Sequence, residues 1–131
     1  MNITAPITHK ERPMNPFRDQ ASFMKACDQT VGEVNYSQKM LYVKLIEEEF
    51  HELRDAGSAV DELDALIDIL VVTIGAIHSM GADAEGAWQE VMRSNLAKID
   101  SETGKVRKRQ DGKVLKPDGW LPPNLEPFLK Q

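Results

Sequence analysis

Apolar residues recur every three to four positions through most of the first hundred residues, a spacing that is typical of amphipathic helices. The pattern predicts four helices, over about 16–28, 37–56, 59–80 and 84–99. Residues that favour helix ends flank these segments: Asn15-Pro16, Ser58 and Asp83 stand at starts, and Gly57 and Gly81 at ends. Asp61, three residues after Ser58, completes a capping-box pattern.

The pattern changes after Asp100. Two short strand-like runs, 105–108 and 113–116, flank Asp111-Gly112, which is typical of a hairpin turn. Four prolines then interrupt regular structure and leave room for one helical turn near 125–129. We therefore predict an all-α, four-helix bundle-type domain over 15–100, a flexible arm over 1–14, and a basic hairpin with a proline-rich tail over 101–131.

The composition suits one ordinary globular domain. The chain has 131 residues, 41 % of them hydrophobic and 28 % charged, and no apolar run approaches the ~20 residues of a transmembrane helix. A net charge of −5 argues against a protein that coats nucleic acid. Cys27 is alone, which excludes an internal disulfide framework, and the first residues lack a signal-peptide pattern. We expect a cytoplasmic protein without nucleic-acid or membrane partners.

Charge is distributed unevenly along the chain. Residues 47–68 contain nine carboxylates against Arg54 alone, whereas residues 101–120 contain six cations. In the second predicted helix, Glu48, Glu49 and Glu52 can project from one side over a single turn. By itself such a cluster is more often a solvated helix face.

The third predicted helix makes a solvated face less plausible. Asp61, Asp64 and Asp68 follow one another at spacings of three and four residues, and Asp68 lies within a segment that is apolar nearly all round. Such a helix is expected to be buried, and an unpaired buried carboxylate costs several kcal/mol. Oxygen-rich sites of this kind suit Mg²⁺, and two ions about 3.5–4 Å apart could activate a water and neutralise a leaving group. The cations of the tail would contact an anionic substrate.

In these features the chain resembles the MazG-like family of all-α nucleoside triphosphate pyrophosphohydrolases, relatives of the dimeric dUTPases and of phosphoribosyl-ATP pyrophosphohydrolase. The resemblance is carried by Glu48-Glu49-x-x-Glu52, by the acid-bearing helix 61–72, and by residues 93–98, 111–117 and 119–120, which look like the short, phage-type branch. One departure concerns the second motif, usually E-x-x-D. If Asp68 is its last residue, its glutamate falls on Ala65; alternatively Asp61 and Asp64 form the pair.

The resemblance implies a fold, a reaction and a set of residues. It implies Mg²⁺-dependent hydrolysis of nucleoside triphosphates, with dNTPs preferred, to monophosphate and pyrophosphate by a metal-activated water, in a homodimer or homotetramer. Mn²⁺ is the expected substitute ion. Its residues are Glu48 and Glu49 as catalytic groups, Glu49, Glu52, Asp64 and Asp68 as metal ligands, and Asn95 and Lys98 as substrate contacts. Lys113 and Lys116 are predicted as further substrate contacts from their charge and their place in the chain.

Two other interpretations stay open at different strengths. The chain could be a helical oligomerisation or nucleotide-binding module that has lost turnover, and the irregular second motif favours this alternative. Glu48-x-x-His51 also matches half of a di-iron carboxylate site. No second Glu-x-x-His supports it, because Gly75 stands three residues before His78. Trp88 is expected in the core and Trp120 could stack on a base.

Overall fold

A computed structural model describes residues 15–130 and shows an all-helical chain. The helices are α1 (Pro16–Ala26), α2 (Tyr36–Asp55), α3 (Ala59–Ser79) and α4 (Ala84–Leu96), followed by a short 3₁₀ turn, Glu126–Phe128. The predicted all-α class and the four helices are confirmed. The predicted arm, 1–14, lies outside the described residues. Within residues 15–130 no helix is long and apolar enough to cross a membrane.

The helices start where side-chain caps are available. Asn15, Asn35, Ser58 and Asp83 each accept a hydrogen bond from the amide three residues ahead, at 3.0–3.1 Å. Helices α2 and α3 end within one residue of the sequence prediction, whereas α1 and α4 end two and three residues before it. Helix α1 stops at Ala26 because Asp28 adopts a left-handed conformation, with a φ of 58°. Helix α4 stops at Leu96, before Ile99, which pairs with Val106 in a β-bridge.

The α2–α3 seam is the main packing interface of the fold. The two helices pair in one antiparallel register, shown by two contacts, Gln38 with Ser79 and Tyr42 with Gly75, and by the electrostatic interaction of Glu49 with Asp68. Tyr42 and Glu49 are seven positions apart on α2, as Gly75 and Asp68 are on α3. Gly75 permits close approach, because a Cβ there would lie 2.5 Å from Tyr42 Cδ1. This packing places carboxylates of both helices side by side.

The core is small and lies towards the C-terminal half of α3. Met24 of α1 is fully buried and clusters with Tyr42 and Ala76. The hydroxyl of Tyr42 donates to Gln29 Oε1, and burial raises the pKa of this hydroxyl. His78 Nε2 lies 2.8 Å from the carbonyl oxygen of Phe17, which ties α1 to α3. Helix α1 therefore covers the end of α3 opposite to the acidic residues.

The expectation that α3 is buried all round is wrong for the single chain. Leu63 and Leu70 are 61 % and 57 % exposed, and Leu66 and Ile67 are also exposed. The reason is that only α2 lies along this half of α3, whereas α1 and α4 contact its other end. Asp68 is accordingly half-buried rather than enclosed. We call the exposed surface of Leu63, Leu66, Ile67 and Leu70 the apolar α3 face.

The C-terminal segment folds back along α4. Residues 105–116 form the predicted hairpin as isolated bridges, with Arg109 N donating to Lys113 O at 2.7 Å. Beyond the hairpin the tail runs antiparallel to α4. Its successive contacts to that helix are Trp120 Nε1 to Ser94 O (2.7 Å), Asn124 N to Glu90 Oε2 (2.7 Å) and Asp83 N to Phe128 O (2.8 Å). We call residues 117–129 the tail strap, because they fasten the C-terminal segment to α4.

Candidate active site

Four carboxylates meet on the α2–α3 seam. Glu49 and Glu52 come from consecutive turns of α2, and Asp64 and Asp68 from consecutive turns of α3. Each acts electrostatically on at least one carboxylate of the other helix. These are the four predicted metal ligands, and we call them the acidic group. The structure thus brings together residues that are up to 19 positions apart in the sequence.

Glu49 is the innermost member of the acidic group. Its Oε2 is inaccessible to solvent, and no group in the described part of the chain forms a hydrogen bond with it. Burial raises the pKa of the Glu49 carboxyl, and the adjacent Glu52 carboxyl and the charges of Asp68 and Asp64 raise it further. A buried carboxylate oxygen without a partner is unfavourable and needs a proton or a cation. Glu49 is therefore the carboxylate most in need of a ligand.

Asp68 faces Glu49 from α3 and has a similar environment. Burial raises the pKa of Asp68, and the charges of Asp64 and Glu52 add to the effect. Repulsion between like charges and partial desolvation act in the same direction here. Raised pKa values in neighbouring carboxyl groups are typical of functional sites, although ion-pair networks also produce them.

In the part of the chain that the structure describes, no basic side chain forms an ion pair with this group. Arg54, the nearest cation in the sequence, lies 3.9 Å from Asp55 Oδ1 and 2.9 Å from His51 Nδ1. None of the ion pairs among residues 15–130 includes a member of the acidic group. Four carboxylates without a cation match the donors that a hard divalent ion prefers.

In this conformation the side chains of the acidic group do not form a complete metal site. Within residues 15–130, no three His, Cys, Asp or Glu side chains are grouped closely enough to hold a metal ion as they stand. Glutamate side chains have several rotatable bonds, so the backbone alone does not fix where the carboxylates of Glu49 and Glu52 lie. The acidic group therefore fits a divalent ion by its chemistry and placement, and its use as a metal site stays a prediction.

A cleft of about 380 Å³ opens beside the acidic group, at the turn between α2 and α3. It is lined by Glu52 and Asp64 of the acidic group and by His51, Asp55, Ala56, Gly57, Asp61 and Ala65. Asp61 thus lies at the mouth of the site and Asp68 deeper along the seam. The small residues of the turn leave the carboxylates accessible to a ligand from this side.

Glu48 lies apart from the other predicted catalytic residue. Its side chain is exposed on α2, and it is not among the groups that perturb the pKa of Glu49 or Asp68. The motif places Glu48 one residue before Glu49, which turns its side chain by about 100° around the helix. Glu49 is consequently the better placed of the two to act on the site.

The predicted substrate contacts form a second group near the end of α4. Lys98 Nζ donates to Asn95 Oδ1 at 3.1 Å, and both Lys98 and Lys116 lie over the ring of Trp120. Lys113 lies apart, in the hairpin turn, where its amide donates to Asp111 Oδ1. Among residues 15–130, no hydrogen bond or ion pair joins this basic group to the acidic group.

Sequence reasoning missed the role of Trp120 as the residue that gathers these lysines. It considered the ring only as a platform for a base. The usable signal was the position of Trp120 four residues after Lys116 in a segment rich in prolines. Trp88, expected in the core, is instead 57 % exposed and packs against Phe17, with ring centroids 6.2 Å apart. The reason is that α4 contacts α3 over a short stretch only.

The family model for phosphoribosyl-ATP pyrophosphohydrolase matches residues 21–95, more than half of the chain. The protein belongs to the phosphoribosyl-ATP pyrophosphohydrolase family. This family is part of the all-α, MazG-like nucleoside triphosphate pyrophosphatase superfamily. It is a family of pyrophosphohydrolases, which are hydrolases that act on acid anhydrides. No curated protein matches the chain. The matched segment contains the whole acidic group and Asn95, whereas Lys98, Lys116 and Trp120 follow it.

Proposed function

We propose that this phosphoribosyl-ATP pyrophosphohydrolase family member is a Mg²⁺-dependent enzyme that hydrolyses nucleoside triphosphates, with dNTPs preferred, to the monophosphate and pyrophosphate. The family supports pyrophosphohydrolase activity on a nucleotide. The resemblance of the motifs and of the basic ending to the short MazG-like branch supports the choice of triphosphates. The second-motif departure, with Ala65 in place of a glutamate, leaves Asp64 to supply the acid.

One observation carries the proposal. Glu49 Oε2 is buried and, among residues 15–130, lacks a hydrogen-bond partner, and the carboxylates near it form no ion pair with a cation of that part of the chain. A purely structural seam would place an apolar residue or an ion pair at this position, since an unsatisfied buried charge destabilises a fold. The ionised arrangement is therefore unfavourable without a proton or a cation, and this is expected of a site built to bind a cation.

The residues would divide the chemistry as follows. Glu49, Glu52, Asp64 and Asp68 would hold the divalent ion, which when bound makes water more acidic and screens the charge of the phosphates. Glu49 or Glu48 would orient a water for in-line attack on the α-phosphorus and accept its proton. The new bond joins the water oxygen to this phosphorus, and the bond to the bridging oxygen breaks, so that pyrophosphate leaves with that oxygen. Basic residues would bind the departing anion.

We further propose that the protein acts as a homodimer or homotetramer. The apolar α3 face presents four large side chains on the half of the helix that carries Asp64 and Asp68. An exposed apolar surface of this kind is typical of an interface between proteins. A second copy over this face would also exclude water from the acidic group, which would strengthen its hold on a cation.

The proposal is tested by pyrophosphate release from a panel of dNTPs and NTPs, with and without Mg²⁺ or Mn²⁺. We expect metal-dependent pyrophosphate with the matching monophosphate, a rate at least about 100-fold lower for Asp68→Ala, and little change for Glu62→Gln. Glu62 is an exposed carboxylate of the first turn of α3, outside the acidic group. Release of single phosphates would contradict the mechanism. Nucleotide binding without turnover would favour an inactive binding module of the same fold.

A further inference from the structure

Two lysines share one indole ring at the start of the tail strap. Lys98 Nζ lies 5.2 Å and Lys116 Nζ 4.8 Å from the ring centroid of Trp120. The two nitrogens are therefore within about 10 Å of each other, the sum of these distances. We infer that Trp120 is a positioning residue that holds Lys98 and Lys116 together as a binding site for the pyrophosphate part of the substrate. This inference rests on the proposed function.

Trp120 is itself fixed to α4. Its Nε1 donates to the carbonyl oxygen of Ser94 at 2.7 Å, and Ser94 is buried. In the last turn of a helix this carbonyl has no partner from the helix itself, and here the amides of Ala97 and Lys98 bond to other residues. The indole therefore supplies the missing hydrogen bond. Its orientation is set by the end of α4 rather than by the lysines.

The anchoring continues along the tail strap. Asn124 N donates to Glu90 Oε2, and Arg93 pairs with the same carboxylate at 2.7 Å. Further along, the ring of Phe128 lies so close to Gly86 that a Cβ there would be 2.7 Å from it. These contacts fix the segment that follows Trp120. The indole is therefore held by its own hydrogen bond to Ser94 and by the anchored backbone that carries it.

The two lysines differ from the arginines of the same region. Arg93, Arg107 and Arg109 each pair with a carboxylate, at distances of 2.5–3.9 Å. Neither Lys98 nor Lys116 forms such a pair in the part of the chain that the structure describes; Lys98 bonds only to the neutral amide oxygen of Asn95. An aromatic face attracts a cation without cancelling its charge. The arrangement thus gathers two positive charges and leaves both available.

Two available ammonium groups on the same indole ring suit an anion that carries charged oxygens on successive phosphorus atoms. Lysine binds phosphate as a compact point charge with three rotatable donors, so it can follow a flexible polyphosphate. A single carboxylate or monophosphate would engage one lysine, whereas pyrophosphate or a triphosphate can engage both. This assigns a ligand to a part of the chain that lies beyond the family match.

The first test measures binding without turnover. In a Trp88→Phe background, Trp120 is the sole tryptophan of the chain and reports on its own surroundings. Inorganic pyrophosphate, added without divalent ions, should change the emission of Trp120 in a saturable manner. Inorganic phosphate should bind about 10-fold more weakly, because it loses one charge-assisted contact. Replacement of Lys98 and Lys116 by Met should remove the pyrophosphate response. An unaltered emission with pyrophosphate, or an equal response in the Lys-to-Met protein, would overturn the inference.

The second test separates positioning from a merely structural role. Trp120→Leu should lower kcat/KM about 10-fold, through KM, kcat or both, because the lysines bind the pyrophosphate part before and while it departs. Trp120→Phe keeps an aromatic face but loses the indole and its hydrogen bond to Ser94, so it should restore part of the lost kcat/KM. Trp88→Phe serves as the matched control and should leave both constants unchanged. An unchanged kcat/KM in Trp120→Leu, or no recovery in Trp120→Phe, would contradict the inference.

The outcomes distinguish this inference from the proposed function. Pyrophosphate binding at Trp120 without hydrolysis of any nucleotide would support the inference and contradict the proposed function. Hydrolysis with wild-type kcat/KM in Trp120→Leu would support the proposed function and contradict the inference. Should Trp120→Leu fail to fold, as judged by circular dichroism, the Lys-to-Met protein decides the question, since it leaves the indole and its bond to Ser94 in place.

Discussion

Gly75→Ala tests whether the α2–α3 seam is as tight as the structure indicates. A Cβ at position 75 would lie 2.5 Å from Cδ1 and 2.7 Å from Cζ of Tyr42, well inside contact distance. The ring cannot simply move away, because Tyr42 is buried against Met24 and its hydroxyl donates to Gln29. The substitution must therefore push α2 and α3 apart or displace the ring from the core.

The magnitude follows from two opposing terms. Overpacking of a well-packed core costs about 1–3 kcal/mol, and here three ring atoms are involved, so the upper end applies. Alanine in place of glycine within a helix regains up to about 1 kcal/mol. We expect the free energy of unfolding to fall by about 2–3 kcal/mol, with a Tm lower by about 6–15 °C. Thermal unfolding followed by circular dichroism measures this difference.

A double-mutant cycle refines the test. In a Tyr42→Ala background the clash is absent, so Gly75→Ala should become neutral or stabilising, by up to about 1 kcal/mol. Because the acidic group lies two helical turns further along the same seam, the concentration of Mg²⁺ needed for activity should also rise in Gly75→Ala alone. A Tm equal to or above that of the wild-type protein in the single variant would refute the reasoning.

Three further predictions concern other parts of the molecule. Asp68→Asn removes one of the repelling charges, so the variant without metal should be more stable than the wild-type protein by about 0.5–2 kcal/mol. The variant should also lack the rise in Tm that we expect Mg²⁺ to produce in the wild-type protein. Calorimetry with and without Mg²⁺ checks both, and an unaltered response to Mg²⁺ would count against the metal site. Arg93 and the amide of Asn124 lower the pKa of Glu90 to about 2. The stability that ionised Glu90 gives to the tail strap should therefore be complete above the ordinary pKa of 4.5 and be lost as the pH falls towards 2. Trp120 emission in a Trp88→Phe background follows this change, and Glu90→Gln should abolish the transition. Leu70→Glu on the apolar α3 face should shift the protein to a smaller species in sedimentation velocity, and an unchanged sedimentation coefficient would place the subunit contact elsewhere.

The elements of the fold were predictable because they depend on local chemistry. Caps at Asn15, Ser58 and Asp83 and the glycines after α2 and α3 act within a few residues, so the sequence alone indicates them. The exact ends of α1 and α4 were not predictable, since they depend on the conformation of Asp28 and on the bridge of Ile99 with Val106. The sequence indicated the acids of both helices, but it did not indicate the register of α2 against α3.

Burial was the part that sequence reasoning judged least well. The run of apolar residues in α3 predicted a helix enclosed on all sides, yet Leu63 and Leu70 are exposed in the single chain. An apolar pattern reports that a surface needs a partner, and it does not say whether the partner is the same chain. The same limit applied to Trp88 and Trp120, whose surroundings depend on how far α4 follows α3 and on where the tail strap returns.

The three-residue turn between α2 and α3 helps to determine which acids of the two helices lie side by side. The turn is short, so one residue inserted at 56–58 would change the way in which the chain enters α3 and with it the alignment of Asp68 with Glu49. An exchange of aspartate for glutamate along the seam moves a carboxylate by one methylene, whereas a change in the length of the turn affects all the acids of α3 together. We therefore expect the acidic group to withstand a change in the type of an acid better than a change in the number of residues that separate the two helices.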